Sequence, residues 1–448
     1  MPDAATRNPR SFLWFRVFFN CRFYYAIYAI LFLDFGLSAS QFAILNAVWA
    51  AAIILLEVPS GALADQIGRK NLVVVSAILM VAEIAVICFT PINAAWTFPL
   101  LILNRLLSGA AEAAASGADE ALAYEAMPEN DRDEAWSHLT GKVMKITSFG
   151  MMLTMVTGAF LYDASAVSKV LAWIGINADL QPGDTLKWPL YLNAITAVGA
   201  LIAALSFSEL REKHDTSNLW VNVRLSFART LETGKWILRT PAPLVLIMVG
   251  ILIDGALRLL VTNASQYYRL VEIPTTWFGV LGAAAAGIGI FSAAFARRRH
   301  SKSDASSNFR LTWILAMLTL STLAYPIKYC GALALFPSFI AMQMLGYFLS
   351  QHLNAVTPSD KRATALSFKG LSMNLAFGGA MLIYWLQSFI IQQDNSDTDL
   401  KQFSTAIQWW PLIFFVASIL VWIWIRSKFG KSMTAMISDA KQRLATKD

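Results

Sequence analysis

Stretches of about 20 mostly apolar residues recur twelve times along the 448-residue chain, and that is the length a helix needs to cross a bilayer. They lie near residues 12–34, 41–60, 71–91, 96–117, 140–162, 189–208, 243–263, 276–296, 309–328, 332–352, 367–391 and 406–426. In hydrocarbon each backbone polar group must be satisfied within its own segment, so these stretches read as spanning α-helices. Composition agrees: 56% of residues are hydrophobic and 15% charged, with a mean hydropathy of +0.52, outside the range of ordinary soluble domains. The stretch at Phe12 is rich in aromatic and polar residues and lacks a small-residue cleavage site. It is therefore expected to remain as the first span and not to act as a signal peptide.

The net charge of +7 raises the question of a polyanionic partner, which the placement of the basic residues answers. Arg7 and Arg10 precede the first span, Arg69 and Lys70 follow the second, and Arg132 follows the fourth. Arg211, Lys213, Arg224, Arg229, Lys235 and Arg239 lie between the sixth and seventh, and Arg297, Arg298, Arg299 and Lys302 follow the eighth. Lys361 and Arg362 follow the tenth, and Arg426, Lys428 and Lys431 the twelfth, whereas the alternate loops carry few such residues. The positive-inside rule places those loops and both termini in the cytoplasm, so the basic excess is a topological signal and not a nucleic-acid footprint. A multi-pass protein of a bacterial inner membrane is expected. The three cysteines, Cys21, Cys88 and Cys330, sit in apolar segments without ligand spacing, so neither a disulfide nor a metal is expected.

The longest polar interruption, residues 209–241, divides the spans six and six. The expected organisation is an N-terminal six-helix bundle over 1–208, a cytoplasmic linker with an amphipathic helix, and a C-terminal bundle with a basic tail over 242–448. A repeat supports the division. Pro128, Arg132, Ala135 and Ser137 after span four recur with the same spacing as Pro358, Arg362, Ala365 and Ser367 after span ten. Paired halves are a transporter design in which substrate sits near the midplane between two rocking bundles. The fold class expected is thus an all-α integral membrane protein of two pseudo-symmetric six-helix bundles.

Between spans two and three the chain reads Gly61-Ala62-Leu63-Ala64-Asp65-Gln66-Ile67-Gly68-Arg69-Lys70. This resembles the signature loop of the major facilitator superfamily, G-x-L-a-D-r-x-G-R-k/r, at the family's usual position; Gln66 departs from it where a basic residue is common. Gly61 and Gly68 are expected to permit a tight reversal, and Asp65 to cap or face the positive end of a helix. The resemblance implies that Asp65 docks near the start of span eleven, around Ser367 to Gly370. It also implies that Arg69 pairs with a carboxylate at the inner end of span four, Asp119 or Glu120. Arg105-Leu106-Leu107-Ser108-Gly109 is similar to the family's arginine–glycine pattern in span four.

Ionisable residues inside a span are costly and so mark function or a buried pair. Span one carries Arg16, Asn20 and Arg22; span three, Glu83; span four, Arg105 and Glu112; span seven, Asp254 and Arg258. Gln343 and Tyr347 share a polar face on span ten, and Tyr24, Tyr25, Tyr28 and Trp49 offer aromatic walls. The resemblance implies that spans one, four, seven and ten line the pathway, which makes Arg16, Asn20, Arg22, Tyr24, Arg105, Arg258, Gln343 and Tyr347 its candidates. Glu112 and Asp254 are the candidate proton-coupling carboxylates, because burial brings a carboxyl pKa toward working pH. Static ion pairs are the alternative reading of such charges: Arg22 with Glu83 by matched depth, Asp254 with Arg258 by a four-residue spacing.

No phosphate-binding loop is present, since Gly430-Lys431-Ser432 lacks the upstream glycine. His138, His214, His300 and His352 are scattered, with no metal signature, and no hydrolase motif offers catalysis. His352 reads as a solvated residue at a helix end. An enzyme and a cofactor are therefore not expected; the expected partners are a small-molecule substrate, protons and membrane lipid, with the chain a monomer. Three functions stay open. Proton-driven export of small organic molecules by alternating access comes first, because Glu57–Lys70 and Ser116–Asp119 look like bacterial efflux-type members, although Gly150–Gly158 lacks the G-P-x-x-G-G element of drug/proton antiporters. Uptake of a nutrient or organic anion is suggested by the buried arginines. A non-transporting assembly or lipid-handling protein on the same fold is the third.

Overall fold

The computed structural model describes residues 4–209, 219–358, 361–394 and 399–445. Arg211 and Lys213 of the charge pattern lie outside the described residues. The first part of the chain forms α1 (Ala4–Asn20), α2 (Tyr28–Asp34), α3 (Ala39–Ile67), α4 (Arg69–Phe89), α5 (Thr97–Ala115), α6 (Ala118–Glu125), α7 (Arg132–Tyr162), α8 (Ala164–Trp173), α9 (Pro182–Thr185) and α10 (Trp188–Leu205). An amphipathic α11 (Leu219–Arg239) follows, then α12 (Pro241–Thr262), α13 (Ala264–Leu270), α14 (Thr275–Lys302), α15 (Ala305–Leu323), α16 (Phe336–Val356), α17 (Arg362–Asp394), α18 (Asp399–Phe429) and α19 (Met433–Ala445). Among the described residues ten helical runs are long and apolar enough to cross a membrane. The fourth and ninth places in the twelve-span order belong to α5 and α15. Asn104, Arg105 and Glu112 make α5 less apolar, and Asn308 and Arg310 do the same for α15. Arg105 and Glu112 among them are the expected pathway and coupling candidates of α5.

Two compact units divide the chain. Unit one holds Met1–Leu37, Val48–Phe227 and Pro274–Ala286; unit two holds Ser38–Ala47, Ala228–Ile273 and Gly287–Asp448. One boundary between them falls within α11, inside the segment that reads as a linker; the others fall before and within α3 and before and within α14.

In unit one α4 packs on α5 and α10, and α1 on α10 and α7. The Ser76 hydroxyl donates to the Ala111 carbonyl at 2.7 Å, tying α4 to α5 with both groups buried. A Cβ on Gly109 would lie 2.6 Å from Ala52 Cβ and 2.8 Å from the Trp49 carbonyl oxygen, so the small face of α5 is where α3 comes closest. In unit two α12 packs against α16 and α17, and α15 against α16. The short α19 returns to this bundle with Met436 and Ile437 buried.

Span one differs from the continuous helix that its apolarity predicts. Regular α-structure stops at Asn20, and α2 begins only at Tyr28 after a single 3-10 turn over Tyr25–Ile27. Asn193 of α10 accepts the Phe23 N–H at 2.7 Å. On the other side α7 presses Gly158 so close to the Phe23 carbonyl that even a methyl group there would overlap it. Broken backbone persists at membrane depth only where protein satisfies it, and these two residues supply that support.

The motif loop also differs in detail. Gly61 is not part of the reversal: it sits inside α3, which runs on to Ile67, with open space where its Cβ would be. Gly68 alone makes the turn, at φ +88°, a conformation that costs other residues strain.

Candidate functional site

The break in span one brings Arg22 into a buried cluster of unit one. Arg22 Nη1 lies 3.2 Å from Glu83 Oε1, and Arg105 Nη2 reaches the same oxygen at 3.6 Å. The carboxylate is fully buried, and the two guanidinium side chains are 5% and 4% exposed. Asn104 organises the group from the middle of α5: its Nδ2 donates to the Glu83 carbonyl at 2.8 Å, and its Oδ1 accepts from Arg105 Nε at 2.8 Å. Arg105 Nη1 donates to the Tyr28 hydroxyl at 3.0 Å, and the Arg105 guanidinium lies 5.0 Å from the Phe32 ring centroid. Tyr24 stacks on Tyr28 and sets its hydroxyl 3.5 Å from Glu83 Oε1. Glu83 Oε2 and Arg105 Nη2 are buried without a hydrogen-bond partner among the described residues. Two fixed cations thus share one carboxylate, and burying charge at this cost needs such geometry to persist.

The expected Arg22–Glu83 pair is therefore present, and Arg105 joins it. Glu112 is exposed on α5, within electrostatic reach of Arg22, Arg16, Glu83 and Glu57. Arg16 pairs with Asp119 at 2.5 Å and with Glu120 at 2.8 Å. Its backbone carbonyl accepts from the Asn20 side chain at 2.8 Å. Arg16 is thereby tied to the start of α6.

That arrangement corrects the pairing expected of Arg69. Arg69 joins Glu125 at the end of α6, at 2.7 Å. Asp119 and Glu120 are taken by Arg16, because Gly117 in left-handed conformation restarts the helix and carries Glu125 to the motif loop. The side chain of Asp65 lies outside the described residues, and with it the expected docking near Ser367 to Gly370. The capping role expected of Asp65 lies outside the described residues too; the carboxylate seen at the start of α4 is that of Glu209, which follows α10. Its carboxylate accepts the Lys70 N–H at 2.9 Å, at the N-terminus of α4. A glutamate 139 residues from Lys70, at the start of a mixed-charge run, carries no sequence signal for this contact.

In unit two Asp254 and Arg258 pair along α12 at 2.8 Å, and Asn374 of α17 accepts from Arg258 at 2.9 Å. Lys369 donates to the Ser350 hydroxyl at 3.1 Å and acts electrostatically on Asp254. Gln343 is exposed on α16, while Tyr347 meets the His300 ring edge-on at 5.9 Å between centroids. His352 is not a solvated helix-end residue: it is 6% exposed, packed 4.8 Å from the His300 ring and against Phe309. It sits on the buried stripe of α16, against Phe309 of α15 and His300 of α14. Asn104, Asn193, Asn374 and Glu209 are the site residues that sequence reasoning missed. For the three asparagines, a polar amide in an apolar run was the only signal.

Ten apolar helical runs, a discontinuous first span and ion pairs within the first, third, fourth and seventh apolar stretches define a polytopic transporter architecture. The family model of the Major Facilitator Superfamily matches residues 12–381, and the chain belongs to that family. Among solved structures, a nucleoside transporter aligns with a TM-score of 0.65 at 12% identity, over 94% of this chain and 99% of that one. A bacterial homologue of the human lysosomal transporter Spinster, inward-facing and unoccupied, aligns with a TM-score of 0.66 at 14% identity, over 100% and 98%. A D-xylose–proton symporter aligns with a TM-score of 0.59 at 15% identity, over 92% and 96%. At such identities the likeness is one of fold. No curated protein matches the sequence.

Proposed function

We propose that this secondary transporter moves a small organic molecule bearing an anionic group, by alternating access and with protons as the coupling ion. The observation that carries the reading is the sharing of Glu83 by Arg22 and Arg105, which leaves one buried positive charge in excess. Guanidinium groups recognise carboxylate and phosphate through paired donors, and Arg105 Nη2 holds such a donor without a hydrogen bond among the described residues. Tyr24, Tyr28 and Phe32 add aromatic surface beside it, suited to an apolar body on the same substrate.

Glu112 supplies the coupling. Ionised, it acts on Arg22 and so offsets the surplus of the cluster; protonated, it leaves that surplus to the substrate. Anion and proton are then bound together, which is the logic of symport, and an inward proton gradient drives uptake. Asp254, balanced by Arg258 and near Lys369, is the corresponding carboxylate of unit two. Export is the second reading, favoured by the likeness of Glu57–Lys70 and Ser116–Asp119 to efflux-type members.

Reconstitution into proteoliposomes with an imposed pH gradient tests both. Mono- and dicarboxylates, organic phosphates and neutral sugars are offered in turn. The symport reading expects accumulation of an anion with the gradient, lost in Glu112→Gln while anion exchange without a gradient continues. Accumulation against the gradient's direction establishes export, and preference for a neutral solute overturns the anionic assignment.

A further inference from the structure

Unit two carries an open groove of about 550 Å³ on the far side of α12 from Asp254 and Arg258, lined by α12, α15, α18 and the start of the tail. Its walls are apolar for most of their length, with Val249, Trp313, Phe415 and Trp422 among them. At one end they turn basic, where Arg310, Arg426 and Lys431 converge. That end is where α12 and α15 begin and α18 finishes, so it lies at the membrane surface. From Arg426 back to Phe415 is eleven residues, about 16 Å at helical rise, which matches one leaflet of a hydrocarbon core about 30 Å thick.

We propose that this groove is a binding site for an anionic glycerophospholipid, its acyl chain along α12 and α18 and its phosphate against Arg310, Arg426 and Lys431. Charge complementarity selects this occupant. Among the described residues the acids nearby are Asp304 and Asp439; Asp439 pairs with Lys431 at 2.6 Å, and Asp304, bonded by the Thr434 hydroxyl at 2.7 Å, acts on Arg310, so three cations face two acids and one positive charge is left in excess. Among the described residues Arg426 makes one hydrogen bond, at 3.3 Å to the Gly430 carbonyl, and Arg426 and Arg310 are both exposed at the groove mouth. Basic pockets between spanning helices are a recurrent form of acidic-lipid recognition. The depth is set as well: Trp313 donates to the Ser418 hydroxyl at 2.8 Å, bridging α15 to α18 across the groove floor. The lipid would also hold α19, whose first residues border the mouth, against the bundle.

Native mass spectrometry of the purified full chain, titrated with phosphatidylglycerol and separately with phosphatidylcholine, tests this. The expected result is a phosphatidylglycerol adduct about tenfold tighter than that of phosphatidylcholine. The preference disappears in Arg310→Gln/Arg426→Gln/Lys431→Gln, and Ile419→Trp, which fills the groove and leaves the charges, abolishes the adduct. Melting curves without added lipid confirm that both variants fold. Equal affinity for the two lipids, an adduct that survives Ile419→Trp, or displacement of the lipid by inorganic phosphate overturns the proposal.

Discussion

The side chain of Asn193 accepts the backbone N–H of Phe23 across 2.7 Å, and so α10 props open the gap in the first span. Gly158 makes the same gap possible from α7, because its missing side chain leaves room for the Phe23 carbonyl. The break sets Arg22 beside Glu83.

Asn193→Leu is expected to destabilise the protein by about 1–3 kcal/mol, the cost of leaving the Phe23 N–H unsatisfied in a buried site. Gly158→Ala is expected to be worse than an ordinary overpacking change of about 1–3 kcal/mol, because the obstacle is backbone. Melting temperature in detergent measures both, and an unchanged value in either variant would show that the gap is held by something else.

Glu83→Gln and Arg105→Met should separate stability from transport. Loss of the carboxylate leaves two buried guanidinium groups unpaired, at a cost of about 3–5 kcal/mol. Arg105→Met leaves the Arg22–Glu83 pair intact at 3.2 Å, so it is expected to melt near the parent while losing anion transport. If both melt alike, Arg105 shares the structural role equally with Arg22.

Glu209→Ala removes the carboxylate that caps α4 through the Lys70 N–H. A cap of this kind contributes about 0.5–2 kcal/mol. Hydrogen exchange is expected to speed up at Lys70 and its neighbours while the middle of α4 stays protected, and uniform protection would remove Glu209 from this role.

Acid should loosen α19. The Thr434 hydroxyl donates to Asp304, and this bond, together with the Ser307 N–H and the Arg310 charge, holds the Asp304 carboxyl below its ordinary range. A depressed folded-state pKa contributes stability that is complete above the unfolded value, near pH 4, and lost as pH falls through the folded value. Proteolysis between Gly430 and Met433 is expected to accelerate below about pH 4. Asp304→Asn should cleave at the fast rate already at neutral pH, and a pH-independent rate in the parent would refute the latch.

Much of this protein is legible in its sequence because a bilayer enforces simple rules. Twelve apolar lengths, basic residues on alternate loops and the Gly61–Lys70 motif follow from hydrogen-bond satisfaction, membrane charge asymmetry and a local turn, and each is readable over a short window. So are the Asp254–Arg258 pair, one helical turn apart, and the Arg22–Glu83 pair, matched by depth. Tertiary structure decided the rest. That Arg105 shares Glu83, that Arg69 takes Glu125 because Arg16 holds Asp119, and that Glu209 caps α4 depend on which helices are neighbours. Periodicity states which face of a helix is polar. The partner across that face is set only when packing brings distant segments within a few ångströms, and a charge in low dielectric takes the nearest opposite charge available there.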